Sequence, residues 1–127
     1  MNNKYSDKEL DFLPRWLAPQ LSRAVAEHPV VVLTGARQVG KSTLLRHEEP
    51  TKRWKYVTLD NMDALRQGER DPASLWAGAD QVILDEVQRL PAVLSAVKQA
   101  VDENPRKRRY VLSGSANLLL MRQVSES

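Results

Sequence analysis

Eight consecutive residues, Gly35-Ala36-Arg37-Gln38-Val39-Gly40-Lys41-Ser42, set two glycines, a lysine and a hydroxyl in the order G-x-x-x-x-G-K-S. Each of these residue types has a task in holding a run of phosphates. The glycines let the backbone bend so that successive N–H groups turn inward toward anionic oxygens. Lys41 is a mobile positive charge long enough to meet the β- and γ-phosphates. Ser42 offers a hydroxyl ligand to Mg2+, and Thr43 stands where it can help hold the α-phosphate. The spacing therefore predicts a nucleotide-phosphate cradle formed by Gly35, Ala36, Arg37, Gln38, Val39, Gly40, Lys41, Ser42 and Thr43.

A phosphate cradle serves kinases and hydrolases alike, so the acidic residues carry the distinction. Val82-Ile83-Leu84-Asp85-Glu86 is an apolar run that ends in two adjacent carboxylates. Asp85 is expected to hold Mg2+ through its water shell, because that ion gives up water reluctantly. Glu86 points elsewhere and is expected to orient and deprotonate an attacking water. The alternative is that the pair only caps a turn. Ser113-Gly114-Ser115 follows another apolar run; Ser113 first and Ser115 second are candidates to contact the γ-phosphate or the lytic water. A plain Ser/Gly turn with a helix cap is the competing reading.

These groups need a scaffold, and the hydrophobic pattern supplies one. Leu13, Leu17, Leu21, Ala24 and Val25 recur at helical spacing, with Pro19 setting the helix body at about residues 19–27. Val30–Leu33, Tyr56–Leu59, Gln81–Leu84 and Arg109–Leu112 read as strands. A helix begins at Ser42–Leu45, and two short helical pieces fill 61–80, with Asp71 as an N-cap before Pro72. Pro91 opens an amphipathic helix carrying Leu90, Val93, Leu94, Val97 and Val101 on one face, and a last helix begins near Asn117. Alternation of strands and helices predicts an α/β sandwich with a parallel sheet. Residues 1–12 read as a mobile lead-in, and 13–127 as one partial domain.

Composition narrows the choice further. Apolar residues make up 42% and charged residues 28% of 127, a balance that suits a packed domain rather than disorder. No cysteine is present, which removes disulfide and cysteine-metal chemistry and suits a reducing, cytoplasmic setting. No apolar run is long enough for a membrane span. The net charge of +3 is spread over both halves and names no partner. Arg106-Lys107-Arg108-Arg109 is the one basic cluster; without interleaved aromatics it reads as a solvated loop more than a nucleic-acid contact. His28 and His47 lack ligand partners at metal spacing, and Trp16, Trp54 and Trp76 read as packing residues. Arg37 is balanced between a γ-phosphate or neighbouring-subunit contact and plain solvation. Gln88-Arg89 reads as a surface turn more than a relay of nucleotide state.

At this level of detail the sequence resembles a family of prokaryotic predicted ATPases of the AAA+ superfamily. The run from Leu33 to Leu45 carries the resemblance first. Tyr56-Val57-Thr58-Leu59-Asp60, Leu84-Asp85-Glu86-Val87-Gln88-Arg89-Leu90-Pro91 and Leu112-Ser113-Gly114-Ser115-Ala116-Asn117 then match in order, as do Asp71-Pro72 and Val101-Asp102. About residues 15–127 are covered. The resemblance implies a P-loop NTPase three-layer sandwich with sheet order 5-1-4-3-2, Asp85-Glu86 as the second nucleotide motif, and a serine-type sensor after the fourth strand. Family members continue with a fifth strand, an arginine-bearing helical lid and a C-terminal nuclease-like domain. The part present here implies the order 1-4-3-2, with Val30–Leu33 as an open apolar edge able to pair with another copy. Nucleic acid is a candidate partner through the C-terminal regions that family members carry.

The function expected from these readings is binding of Mg2+ and ATP and hydrolysis to ADP and phosphate, weakened if the transition-state arginine lies elsewhere. Lys41, Glu86, Ser113 and Ser115 are the catalytic candidates, and Ser42 and Asp85 the metal candidates. A non-hydrolysing nucleotide sensor, a P-loop small-molecule kinase and a nucleic-acid-binding module are the alternatives.

Overall fold

The computed structural model describes residues 19–34, 45–47 and 49–115. The lead-in, the phosphate loop and the closing helix expected near Asn117 lie outside the described residues.

Four short strands form one parallel sheet: β1 Val30–Thr34, β2 Lys55–Thr58, β3 Gln81–Asp85 and β4 Arg109–Gly114. Their order is β1-β4-β3-β2, as the resemblance implies. Helix α1 covers residues 19–27, and 45–47 are helical. The other elements among the described residues are helices α2 (Met62–Arg70) and α3 (Ala92–Glu103) and the 3-10 turns Pro72–Trp76 and Val87–Arg89. The sheet is covered on both faces, which explains why its strands read as unbroken apolar runs. Among the described residues, no helix is long and apolar enough to cross a membrane.

Strand alternation sorts the side chains into two layers. Val82 and Leu84 of β3, with Tyr110 and Leu112 of β4, pack against Val93, Leu94 and Val97 of α3 and against Leu75 and Trp76. Tyr110 meets the Trp76 indole edge to face, with ring centroids 5.3 Å apart. On the other face Ile83 and Val111 pack with Leu21 of α1, Leu45 and Trp54. Each aliphatic side chain wholly withdrawn from water here contributes about 1.5–3 kcal/mol. The expected apolar stripe of α3 is the one that is buried, with Leu90 and Val101 packed at its margins.

Local chemistry sets the helix ends. Asn61 caps α2, its Oδ1 accepting from the Ala64 N–H at 3.0 Å. The expected cap at Asp71 is realised in position only. Pro72 opens the 3-10 turn, but the Asp71 side chain makes no capping bond; its carbonyl accepts instead from the Ser74 hydroxyl at 2.6 Å. The basic cluster is partly structural. Arg108 Nε donates to the Ala79 carbonyl at 2.5 Å and Arg109 N–H to the Asp80 carbonyl at 2.9 Å, fastening the entrance of β4. Trp54 and Trp76 are buried, as the packing reading expects, and His28 and His47 are exposed.

Replacing Asn61 by Ala removes a cap whose usual worth is about 1 kcal/mol. Denaturant unfolding of Asn61→Ala is expected to show a loss of about that size with an unchanged m-value.

Candidate functional site

Ligands of open parallel sheets bind beyond the C-terminal ends of the strands. The register identifies what stands there. Thr58 pairs with Asp85, Leu84 with Leu112, and Leu33 with Ser113, so Asp85 and Ser113 lie at one level across adjacent strands. Thr34 ends β1 beside Gly114, and the next residue, Gly35, begins the phosphate-loop sequence. Both Asp85 and Ser113 follow the alternation of Ile83 and Val111, and so belong to the face that carries Leu45.

Asp85 is the centre of this cluster and is only 1% exposed. Its Oδ1 accepts from the Ser113 hydroxyl at 2.6 Å and from the Glu86 N–H at 2.9 Å. Its Oδ2 accepts from the Tyr56 hydroxyl at 2.5 Å. Bonds to a carboxylate are short and strong, and together these offset much of the cost of keeping the group out of water. Arg46 lies over the Tyr56 ring, 4.9 Å from its centroid, in a cation–π contact.

Glu86 diverges from Asp85 because the backbone turns left-handed there, with φ 56° and ψ 42°. Such a conformation costs a non-glycine residue of order 1–3 kcal/mol, and it persists where the surroundings impose it. It ends β3 abruptly, so that Glu86 does not continue the strand alternation. Glu86 is 6% exposed, and its Oε1 accepts from Gln88 Nε2 at 2.7 Å.

Asp85, Glu86, Ser113 and Ser115 are gathered at one end of the sheet. Ser113 and Gly114 belong to β4 itself rather than to a turn after it, and Ser113 is wholly buried. Gly35, Ala36, Arg37, Gln38, Val39, Gly40, Lys41, Ser42 and Thr43 lie outside the described residues; the flanking Thr34 and Leu45 are described, and Leu45 is fully buried. The surface-turn reading of Gln88-Arg89 holds for half of the pair. Arg89 makes an exposed ion pair with Asp60 at 3.3 Å, whereas Gln88 is bonded inward to Glu86. Tyr56 is a site residue that sequence reasoning misses. Its place in the Tyr56–Asp60 stretch is visible, but its reach to Asp85 depends on β2 lying next to β3.

Among the described residues, no three His, Asp or Glu side chains converge as a metal cage. The donor chemistry is hard oxygen from the buried Asp85 carboxylate and neighbouring hydroxyls. That set fits an ion such as Mg2+, which takes one or two protein oxygens and completes its shell with water and phosphate.

The sequence pattern of the AAA domain matches residues 27–127. The chain belongs to the AAA domain family. It is thus a nucleotide-binding, AAA-type P-loop ATPase domain, with the sheet order that the resemblance implies. The chain is also similar to uncharacterized proteins of Mycobacterium bovis and Mycobacterium tuberculosis, 36% identical over 112 residues in each case. That match takes in 87% of this chain but spans only 25% of the length of either relative. No solved structure matches the chain.

Tyr56→Phe deletes one donor to the Asp85 carboxylate while keeping the ring beneath Arg46. Its expected cost is about 1.5–3 kcal/mol, the range for hydrogen bonds to charged groups, measured by denaturant unfolding. Asp85→Asn is expected to undo most of that difference, because an amide oxygen is a weaker acceptor than a carboxylate. A full additional loss from Tyr56→Phe when it is combined with Asp85→Asn would contradict the charge-assisted bond.

Proposed function

We propose that this domain binds ATP with Mg2+ and hydrolyses it to ADP and phosphate. The observation that carries the reading is the buried Asp85 at the tip of β3, bonded to Ser113 on β4, the strand beside the one that leads into Gly35. In open parallel sheets ligands bind beyond the strand C-termini, and an acidic strand end on the same side as the loop after β1 supports the reading.

Each residue then has a distinct task. The amides of the Gly35–Gly40 segment and the Lys41 ammonium bind the phosphates and neutralise the charge that gathers on them. Ser42 and Asp85 hold Mg2+, Asp85 through water, and the ion supplies electrostatic stabilisation of the phosphoryl oxygens. Glu86 orients a water and takes its proton as the oxygen attacks the γ-phosphorus and the bond to the β-phosphate oxygen breaks. Ser113 and Ser115 lie where a change at the phosphates reaches β4. The left-handed backbone at Glu86 supports this division, because it separates the base from the metal carboxylate by direction rather than by distance along the chain.

Mg2+-dependent ATP binding and phosphate release, compared among wild type, Lys41→Ala and Glu86→Gln, test the proposal. Lys41→Ala is expected to weaken binding by about tenfold or more, which corresponds to about 1.4 kcal/mol. Glu86→Gln is expected to bind ATP as the wild type does while turnover falls by about a hundredfold, the lower range for loss of a general base. Equal affinity of wild type and Lys41→Ala would remove the nucleotide assignment. Transfer of phosphate to an acceptor other than water, undiminished in Glu86→Gln, would replace hydrolysis by kinase chemistry.

A further inference from the structure

We propose that Gln88 is a positioning residue that fastens the Glu86 carboxylate to Ser115, the residue just past β4, so that this strand end contacts both acidic residues of the site. The proposal rests on the hydrolytic reading of Glu86 given above and adds the group that aims it.

The two ends of the Gln88 amide do different work. Nε2 donates to Glu86 Oε1 at 2.7 Å, and Oε1 accepts from the Ser115 N–H at 3.2 Å. An ionised carboxylate can only accept, and a backbone N–H can only donate. A side chain that serves both must offer a donor and an acceptor side by side, which is what a primary amide has. The same requirement fixes which way round the amide sits, because a flip would set carbonyl oxygen against carboxylate and NH2 against N–H. Asparagine has the chemistry without the length, glutamate the length without the donor.

The main chain has made room for this contact. A Cβ added to Gly114 would collide with Gln88 Oε1, with Gln88 Cδ at 3.4 Å and Val87 N at 3.5 Å. Only a residue without a side chain lets the amide lie against β4. Ser113, the residue before Gly114, donates to Asp85 at 2.6 Å, and Ser115, the residue after, bonds to Gln88. Ser113 in β4 thereby reaches Asp85 directly, and Ser115, just past the strand, reaches Glu86 through the amide, with Gly114 leaving the room between them. Fixing a base in direction matters, because small misplacements of a reacting group cost large factors in rate.

The test uses Gln88→Met, similar in length but without the amide, and Gln88→Glu, which keeps an acceptor for Ser115 while placing a like charge against Glu86. Both are expected to lower kcat by about tenfold or more while the Kd for ATP with Mg2+ stays within about twofold, since the contact orients a base and does not touch phosphate. In the Glu86→Gln background, Gln88→Met is expected to change kcat by no more than about twofold, because the residue acts through Glu86. Without nucleotide, amide exchange at Ser115 should quicken in Gln88→Met and in Gly114→Ala and stay slow in Gln88→Glu. Wild-type kcat in Gln88→Met, or an equal loss in both backgrounds, would overturn the proposal. So would unchanged Ser115 exchange in Gln88→Met. If wild type and Glu86→Gln hydrolyse ATP equally, the hydrolytic reading falls instead, and the exchange comparison still decides whether the amide clamps β4.

Discussion

A carboxylate kept almost wholly out of water at a strand end is what this domain is arranged around. Asp85 is held by hydroxyl groups from both neighbouring strands, Tyr56 from β2 and Ser113 from β4, and by the N–H of the residue that follows it. A charge in that position is tolerable only while its donors are in place. The strand order β4-β3-β2 is therefore a requirement of the site as well as a feature of the sheet, since any other order would take away one of the two hydroxyls.

The same requirement explains how two adjacent acids come to differ. Were β3 to continue as a strand, Glu86 would project to the opposite face, into the layer of Val82, Leu84 and the α3 side chains. The left-handed turn at Glu86 stops the strand and keeps its carboxylate at the sheet end, and the 3-10 turn Val87–Arg89 brings Gln88 back beside it. Local strain at this corner is offset by contacts that the turn itself makes possible: Val87 fully buried, the Glu86 N–H on Asp85, and the Gln88 amide spanning Glu86 and Ser115. The corner is built on the end of a strand rather than on a free loop, the footing that the base role proposed for Glu86 requires.

The two faces of the sheet carry different burdens. The layer against α3, with Trp76 and Tyr110 in edge-to-face contact, is apolar and serves stability. The opposite layer is a smaller cluster around Ile83, Val111 and Leu45, and its upper end becomes polar at Tyr56, Asp85 and Ser113. Placing the acidic cluster on the face of Leu45 brings it to the side on which the sequence after the phosphate loop returns to the sheet. The basic stretch 106–109 lies at the other end of the strands, where Arg108 and Arg109 are tied to Ala79 and Asp80. The Arg108 guanidinium and the Arg109 main-chain N–H secure the entry into β4 there, away from the site.

Read along the chain alone, the residues give the alternation of strands and helices, the apolar stripe of α3, and a phosphate-binding motif with an acidic pair at a strand end. These are local properties: residue types, a period of two or of 3.6, and fixed spacings. The resemblance supplied the strand order, which no local pattern encodes. Packing of the elements was needed to bring the Tyr56 hydroxyl to Asp85 across 29 positions, to commit Ser113 to Asp85 across 28, and to turn Gln88 inward while Arg89 pairs with Asp60 outside. Each of those outcomes depends on which strands become neighbours and on how one residue, Glu86, bends the backbone. A hydroxyl or an amide carries no mark in the sequence of the partner it will find, because that partner is chosen by the packing of elements far apart along the chain.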